Sequence, residues 1–129
     1  MNNSYLLDTS VLVFVLKQDV VILKRMVAVQ PVYISSITLG ELYYGAEHSA
    51  HVERSLAEVN GLAKTATILA TDKATAEIYG HLKHEQRMKG LMIPDNDLWI
   101  ASTAIQYSLT PAARDHHFMW ITGLALEQW

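Results

Sequence analysis

The chain has 129 residues, half of them hydrophobic, which is enough for one compact domain with a real core and too apolar for a disordered chain. Ten basic residues against 13 acidic ones leave a net charge of −3, so bulk positive charge does not hold nucleic acid here, while an enzyme that brings divalent cations to such a substrate stays open. No cysteine is present, which excludes disulfides, thiolate zinc sites and cysteine nucleophiles and agrees with a reducing cytoplasm.

The N-terminal stretch MNNSYLLDTSVLVFVLK lacks the basic start and cleavage site of a signal peptide. Its apolar run is broken by Asp8 and is too short to span a bilayer, so no membrane anchor is expected. Tyr5–Leu7 reads as a buried strand, Ser10–Lys17 as a helix rich in β-branched residues, and Val20–Val29 as a second helix. Pro31 opens a strand at Val32–Ile34, and Ser35 or Ser36 caps a helix through Leu39, Glu41 and Tyr44. His51–Lys64 has helical spacing, Ala66–Leu69 reads as a strand, and Asp72 caps a long helix ending near Gly90. After Pro94, Asp95 or Asn96 caps a helix to about Tyr107. A strand at Leu109–Ala113 leads into Arg114-Asp115, and Leu124–Trp129 holds a last edge strand. Strands alternate with helices without repeats or linkers. The expectation is a single α/β domain over 1–129 with a mostly parallel central sheet covered on both faces, its ligand crevice at the carboxyl ends of the strands.

Four acids fit that crevice. Asp8 follows the first strand directly, although taken alone it is better explained as the cap of the next helix. Ile37, Gly40, Glu41 and Tyr44 share one helical stripe on a helix apolar on most sides, so Glu41 is at least partly buried and needs a partner. Asp97 shares a face with Ile100, Ala101 and Ala104 and points inward in a first turn whose dipole favours an anion. Asp115 follows a strand. Carboxylates crowded into one crevice stay ionised only if a cation neutralises them, and all-oxygen ligation suits Mg²⁺ or Mn²⁺. Such an ion can orient a water and stabilise charge on a phosphodiester.

The segments LLDTSVLVFVLK, SSITLGELYYGAE, IPDNDLWIAS and ARDHHF, in this order, resemble PIN-domain ribonucleases, specifically the VapC-type toxins of toxin–antitoxin modules. The resemblance covers essentially the whole chain. It implies a three-layer α/β/α PIN-like domain that hydrolyses RNA with a carboxylate-bound Mg²⁺ or Mn²⁺ activating water. The family's acids map onto Asp8, Glu41, Asp97 and Asp115, with Asp8 and Asp97 the more direct metal ligands, and its small hydroxyl residue maps onto Thr9. A homodimer is implied, as is a cognate VapB-type antitoxin whose C-terminal segment fills the groove. One stretch departs from the pattern: Thr110-Pro111-Ala112-Ala113 stands where an apolar strand and a threonine are usual, and proline is uncommon in a central strand.

Arg114 and His116 are the candidate RNA contacts. The histidines give no zinc spacing: His81 and His84 read as solvated, and one of His116 and His117 lines the groove. Tyr43, Tyr44, Tyr79 and Trp99 read as core or dimer interface rather than base-stacking platforms. Asp8-Thr9-Ser10 lacks the second aspartate of a phosphoryl-aspartate enzyme. Two rival functions fit the same acids: a PIN-like module that binds RNA or protein without cutting, and a nuclease acting on single-stranded DNA.

Overall fold

The computed structural model of the protein describes residues 4–114 and 116–129, with the backbone alone for His116. Strand β1 (Tyr5–Leu7) is buried throughout. It is short because Asp8 ends it and starts helix α1 (Thr9–Leu16), the Asp8 carboxylate accepting from the Ser10 backbone N–H. Helix α2 (Val20–Ala28) is capped in the same way by Asp19. Strand β2 (Val32–Ser35) passes into helix α3 (Ser36–Glu47), capped by Ser35, whose hydroxyl accepts from the Thr38 N–H at 3.1 Å. Helix α4 (Val52–Lys64) and strand β3 (Thr67–Leu69) follow. Asp72 and Thr75 then form a capping box on helix α5 (Lys73–Met88). Helix α6 (Asp95–Gln106), strand β4 (Thr110–Ala113), a 3-10 turn (His116–Trp120) and strand β5 (Glu127–Gln128) complete the chain.

The sheet has five strands in the order β3-β2-β1-β4-β5, and every pairing is parallel. Leu7 points to one face, into a core with Val11, Leu12 and Val15 of α1, Ile22 of α2, Leu42 of α3 and Val59 of α4. Its neighbour Leu6 points to the other face, into a core with Leu82 of α5, Ile100 and Ala101 of α6, and Phe118. That alternation within one short strand produces the three-layer α/β/α arrangement.

Strand order reverses between β1 and β4, and in such sheets the crevice outside the carboxyl ends of those two strands is the natural ligand site. Helix α6 aims its N-terminus at that side, because its other end turns into β4 through the Leu109 N–H to Ala104 carbonyl bond. Helix α5 runs antiparallel to it: the Gln106 amide at the end of α6 donates to the Asp72 carboxylate at the start of α5 at 2.8 Å. The end of α5 and the start of α6 therefore meet beside the crevice.

Pro111 sits in β4 without loss. Thr110 donates to the Ser4 carbonyl and Ala112 accepts from Asp8, so residues 110 and 112 bond toward β1. The missing N–H of Pro111 faces the β5 side, and β5 pairs only with Ala112 and Ala113, beyond it. Pro111→Ala should accordingly cost no more than about 0.5–1 kcal/mol in urea unfolding, the entropy released to the unfolded chain. A loss of several kcal/mol would show that the ring itself supports the strand.

Candidate active site

Asp8 lies where the strand order reverses. It is 2% exposed, at the end of the central strand, with its backbone N–H bound to the Ala112 carbonyl of β4 at 2.9 Å. Ser10 serves one of its carboxylate oxygens twice: the backbone N–H and the hydroxyl both donate to Oδ2, at 3.1 and 2.6 Å. The other oxygen, Oδ1, is buried and has no hydrogen-bond partner among the described residues. Burial pushes the Asp8 carboxyl above its ordinary value. The Ser10 bonds pull it down, and the negative charge of Glu41 pushes it further up.

Glu41 reaches this place from α3. The Thr9 hydroxyl donates to its Oε1 at 2.7 Å, so the two adjacent residues Thr9 and Ser10 orient one acid each. The stripe expected to bury Glu41 is not itself buried: Thr38, Leu42 and Ala46 form the inner face of α3, while Tyr44 is 70% exposed. Glu41 stands at the edge of that face, half-buried, where a helix residue can meet both core and solvent.

Asp97 approaches from the opposite layer, in the first turn of α6. It is turned inward as expected, with its side chain 14% exposed, and Oδ2 stands 3.2 Å from Nδ1 of His117. Asp95 does not cap the helix: Pro94 holds the cap position without a side-chain bond, and Asp95 accepts instead from Tyr79 Oη at 2.7 Å and Lys83 Nζ at 3.0 Å. Proline fits there because the extended backbone before a helix needs no donor.

Arg114 closes the far side. Its backbone N–H donates to Ser10 Oγ at 2.9 Å, which joins the end of β4 to the Asp8 hydrogen-bond set. Its guanidinium lies 4.0 Å from the centre of the Phe14 ring, and Lys17 flanks the same ring at 5.5 Å. Asp115 and the His116 side chain lie outside the described residues.

The structure thus joins Asp8 to Glu41 and sets Asp97 on the same side of the sheet. Among the described residues, no three His, Asp or Glu side chains are close enough to grasp an ion unaided. The donor set still fits a divalent cation at Asp8, because a buried carboxylate oxygen without a donor, next to a second carboxylate, lacks positive charge and nothing else. Sequence reasoning passed over Ser10, Phe14 and the pairing of His117 with Asp97. The serine's only signal was its place two residues after a strand-ending aspartate. His81 and His84 are exposed as expected, with His81 beside Glu85 at 2.8 Å.

The PIN domain family model matches residues 5–121. The chain is 34% identical over 128 residues to Ribonuclease VapC2 of Haemophilus influenzae, with 97% of each chain covered. It is 32% identical over 128 residues to the tRNA(fMet)-specific endonuclease VapC of Salmonella typhimurium, again with 97% of each covered. Among solved structures, it superposes on VapBC2 from Rickettsia felis bound to a promoter DNA fragment with a TM-score of 0.93, at 30% identity over 98% of both chains. DNA-bound VapBC from Salmonella typhimurium gives 0.93 at 33% identity, also over 98% of both chains.

The raised Asp8 carboxyl has a consequence for stability. Its charged form is disfavoured by folding, so stability falls as pH rises from the ordinary value of 3.8 through the higher folded value. In chelator at neutral pH, Asp8→Asn should therefore raise Tm, at about 4 °C per kcal/mol relieved in a domain of this size. The gain should shrink toward zero as pH falls below the ordinary value of 3.8, where the native acid is neutral both folded and unfolded. Calorimetry that found Asp8→Asn less stable at neutral pH would contradict this reading.

Proposed function

This chain belongs to the PIN-domain family, in its VapC branch, and from that premise we propose that it is a divalent-metal-dependent endoribonuclease, the toxin of a toxin–antitoxin pair. The observation that carries the reading is the buried, unpartnered Oδ1 of Asp8, beside Glu41 at the point where strand order reverses. Asp8 and Asp97 would hold Mg²⁺ or Mn²⁺ most directly, with Glu41 and Asp115 completing the site, partly through water. A cation bound there supplies Lewis acidity toward water and offsets charge on the phosphoryl oxygens.

The chain's own residues orient the rest. Ser10 fixes Asp8 through Oδ2, while Oδ1 has no hydrogen-bond partner among the described residues. Thr9 fixes Glu41. His117 Nδ1 lies 3.2 Å from Asp97 Oδ2. Arg114, half-spread on Phe14, offers a fork of donors to backbone phosphates at the mouth of the crevice, and His116 is the other proposed RNA contact.

The partner we propose is a VapB-type antitoxin. A largely apolar groove of about 420 Å³ runs between α1, α2 and α4, past Leu16, Leu23, Met26 and Leu62. It shares Leu16 and Glu58 with a second hollow of about 330 Å³ that reaches Thr9 and Glu41. A segment lying along both would cover Glu41 and Thr9 at the edge of the site, and this supports inhibition by occupation of the site. Among the described residues no helix is long and apolar enough to cross a membrane. The proposed working form is a cytoplasmic homodimer of single-domain subunits.

Asp97→Asn and Asp8→Asn should each lower RNA cleavage more than ~100-fold and abolish growth arrest on expression, and chelation should do the same to the native protein. Cutting by either variant would contradict the mechanism. Matched RNA and single-stranded DNA assayed in parallel decide the substrate, and cleavage of the DNA alone would replace this proposal by a DNase. Arg114→Ala should reduce the salt slope of RNA binding by about 1; an unchanged slope would remove Arg114 from the RNA path.

A further inference from the structure

The end of α5 and the first turn of α6 enclose a cavity of about 230 Å³ in which the groups just described take no part. Its wall includes Lys83, Gln86, Arg87, Ile93, Asp95 and Leu98. Gln86 is 2% exposed, and among the described residues neither its Nε2 nor its Oε1 has a hydrogen-bond partner. A buried amide in that state destabilises the fold, and a leucine of similar size would remove the penalty. Packing therefore does not account for glutamine here, whereas a ligand carrying both a donor and an acceptor does.

Three charged side chains, Lys83, Arg87 and Asp95, share the wall with the apolar Leu91, Ile93 and Leu98. Lys83 donates to Asp95 at 3.0 Å, Tyr79 donates to the same oxygen at 2.7 Å, and the Tyr79 ring stacks on Trp99 with centroids 3.9 Å apart. Arg87 makes no ion pair among the described residues. The cavity also lies on the carboxyl side of the sheet, and Asp95 precedes the proposed metal ligand Asp97 by two residues on the same helix turn.

We propose that this cavity receives one unpaired base of the RNA substrate, Gln86 reading its hydrogen-bonding edge while Arg87 and Lys83 meet the adjoining phosphates. The inference rests on the ribonuclease reading above and assigns base selection beside the cut to this chain's own pocket. A glutamine carboxamide discriminates by pairing its acceptor and donor with an adjacent donor and acceptor on one base edge, as with N6–H and N7 of adenine. The Gln86 amide is shut off from water, so the base reaches it by displacing residues 91–94. These form no regular element and carry Met92 outward, 75% exposed.

The test is cleavage of a randomised single-stranded RNA pool with Mn²⁺, with the fragment ends sequenced, for the native protein, Gln86→Leu and Arg87→Ala. The native enzyme should prefer one base at one position near the cut by about 5-fold or more. Gln86→Leu should still cut and should melt at a higher temperature, yet lose that preference. Arg87→Ala should keep the preference and raise KM. If Gln86→Leu fails to fold, Gln86→Met serves the same comparison. An unchanged preference in the Gln86 variant, no preference in the native enzyme, or a lower melting temperature for the variant would overturn the base pocket while leaving the ribonuclease intact. A native protein that cuts no RNA would overturn the ribonuclease, and the pocket with it.

Discussion

Burying a carboxylate at the end of the central strand strips it of water, and the fold restores hydrogen bonds to only one of its two oxygens. Ser10 gives Asp8 Oδ2 two donors, while Oδ1 is left with none among the described residues. An isolated charge in that position is costly enough that its carboxyl shifts toward the neutral form. The negative charge of Glu41 adds to that cost. A site that gains by binding a cation, and is tense without one, follows from these contacts alone.

The same small set of bonds ties the layers to the acid. Thr9 and Ser10, consecutive on α1, connect Asp8 to α3 through Glu41 and to β4 through the Arg114 N–H. The second face of the sheet contributes Asp97, with His117 of the 3-10 turn that follows β4 beside it at 3.2 Å. Asp8 and Glu41 thus each have a hydroxyl of α1 as an orienting donor. The parallel sheet, with its reversal between β1 and β4, leaves room for them on a single side. Positive charge is held back to the rim, where Arg114 and Lys17 share the Phe14 ring.

Much of this was legible in the chain because the periodicities are clean. The strand before Asp8, the cap at Ser35 and the long helix from Asp72 all stand where their apolar spacing and capping residues put them. Asp97 was legible because Ile100, Ala101 and Ala104, buried one turn on, oblige it to turn inward. Glu41 was read correctly as half-buried but from the wrong stripe, since the helical wheel could not tell that α3 would pack through Thr38, Leu42 and Ala46. Pro111 looked unusual for a central strand because hydrogen-bond direction along β4 depends on register, and register is set by tertiary pairing. The cap assigned to Asp95 failed for a similar reason: Lys83 and Tyr79, far away in sequence, hold that carboxylate instead. Ser10 had only its place after Asp8 as a signal, and Gln86 had none. The bonds that Ser10 makes and those that Gln86 lacks among the described residues appear only in the three-dimensional arrangement.

The central claim concerns one oxygen atom, and anomalous diffraction from a crystal of this protein soaked in Mn²⁺ addresses it directly. The account predicts an anomalous peak about 2.1 Å from Asp8 Oδ1, with Ser10 still bound to Oδ2. A peak seated elsewhere, or none on a fully loaded crystal, would contradict it.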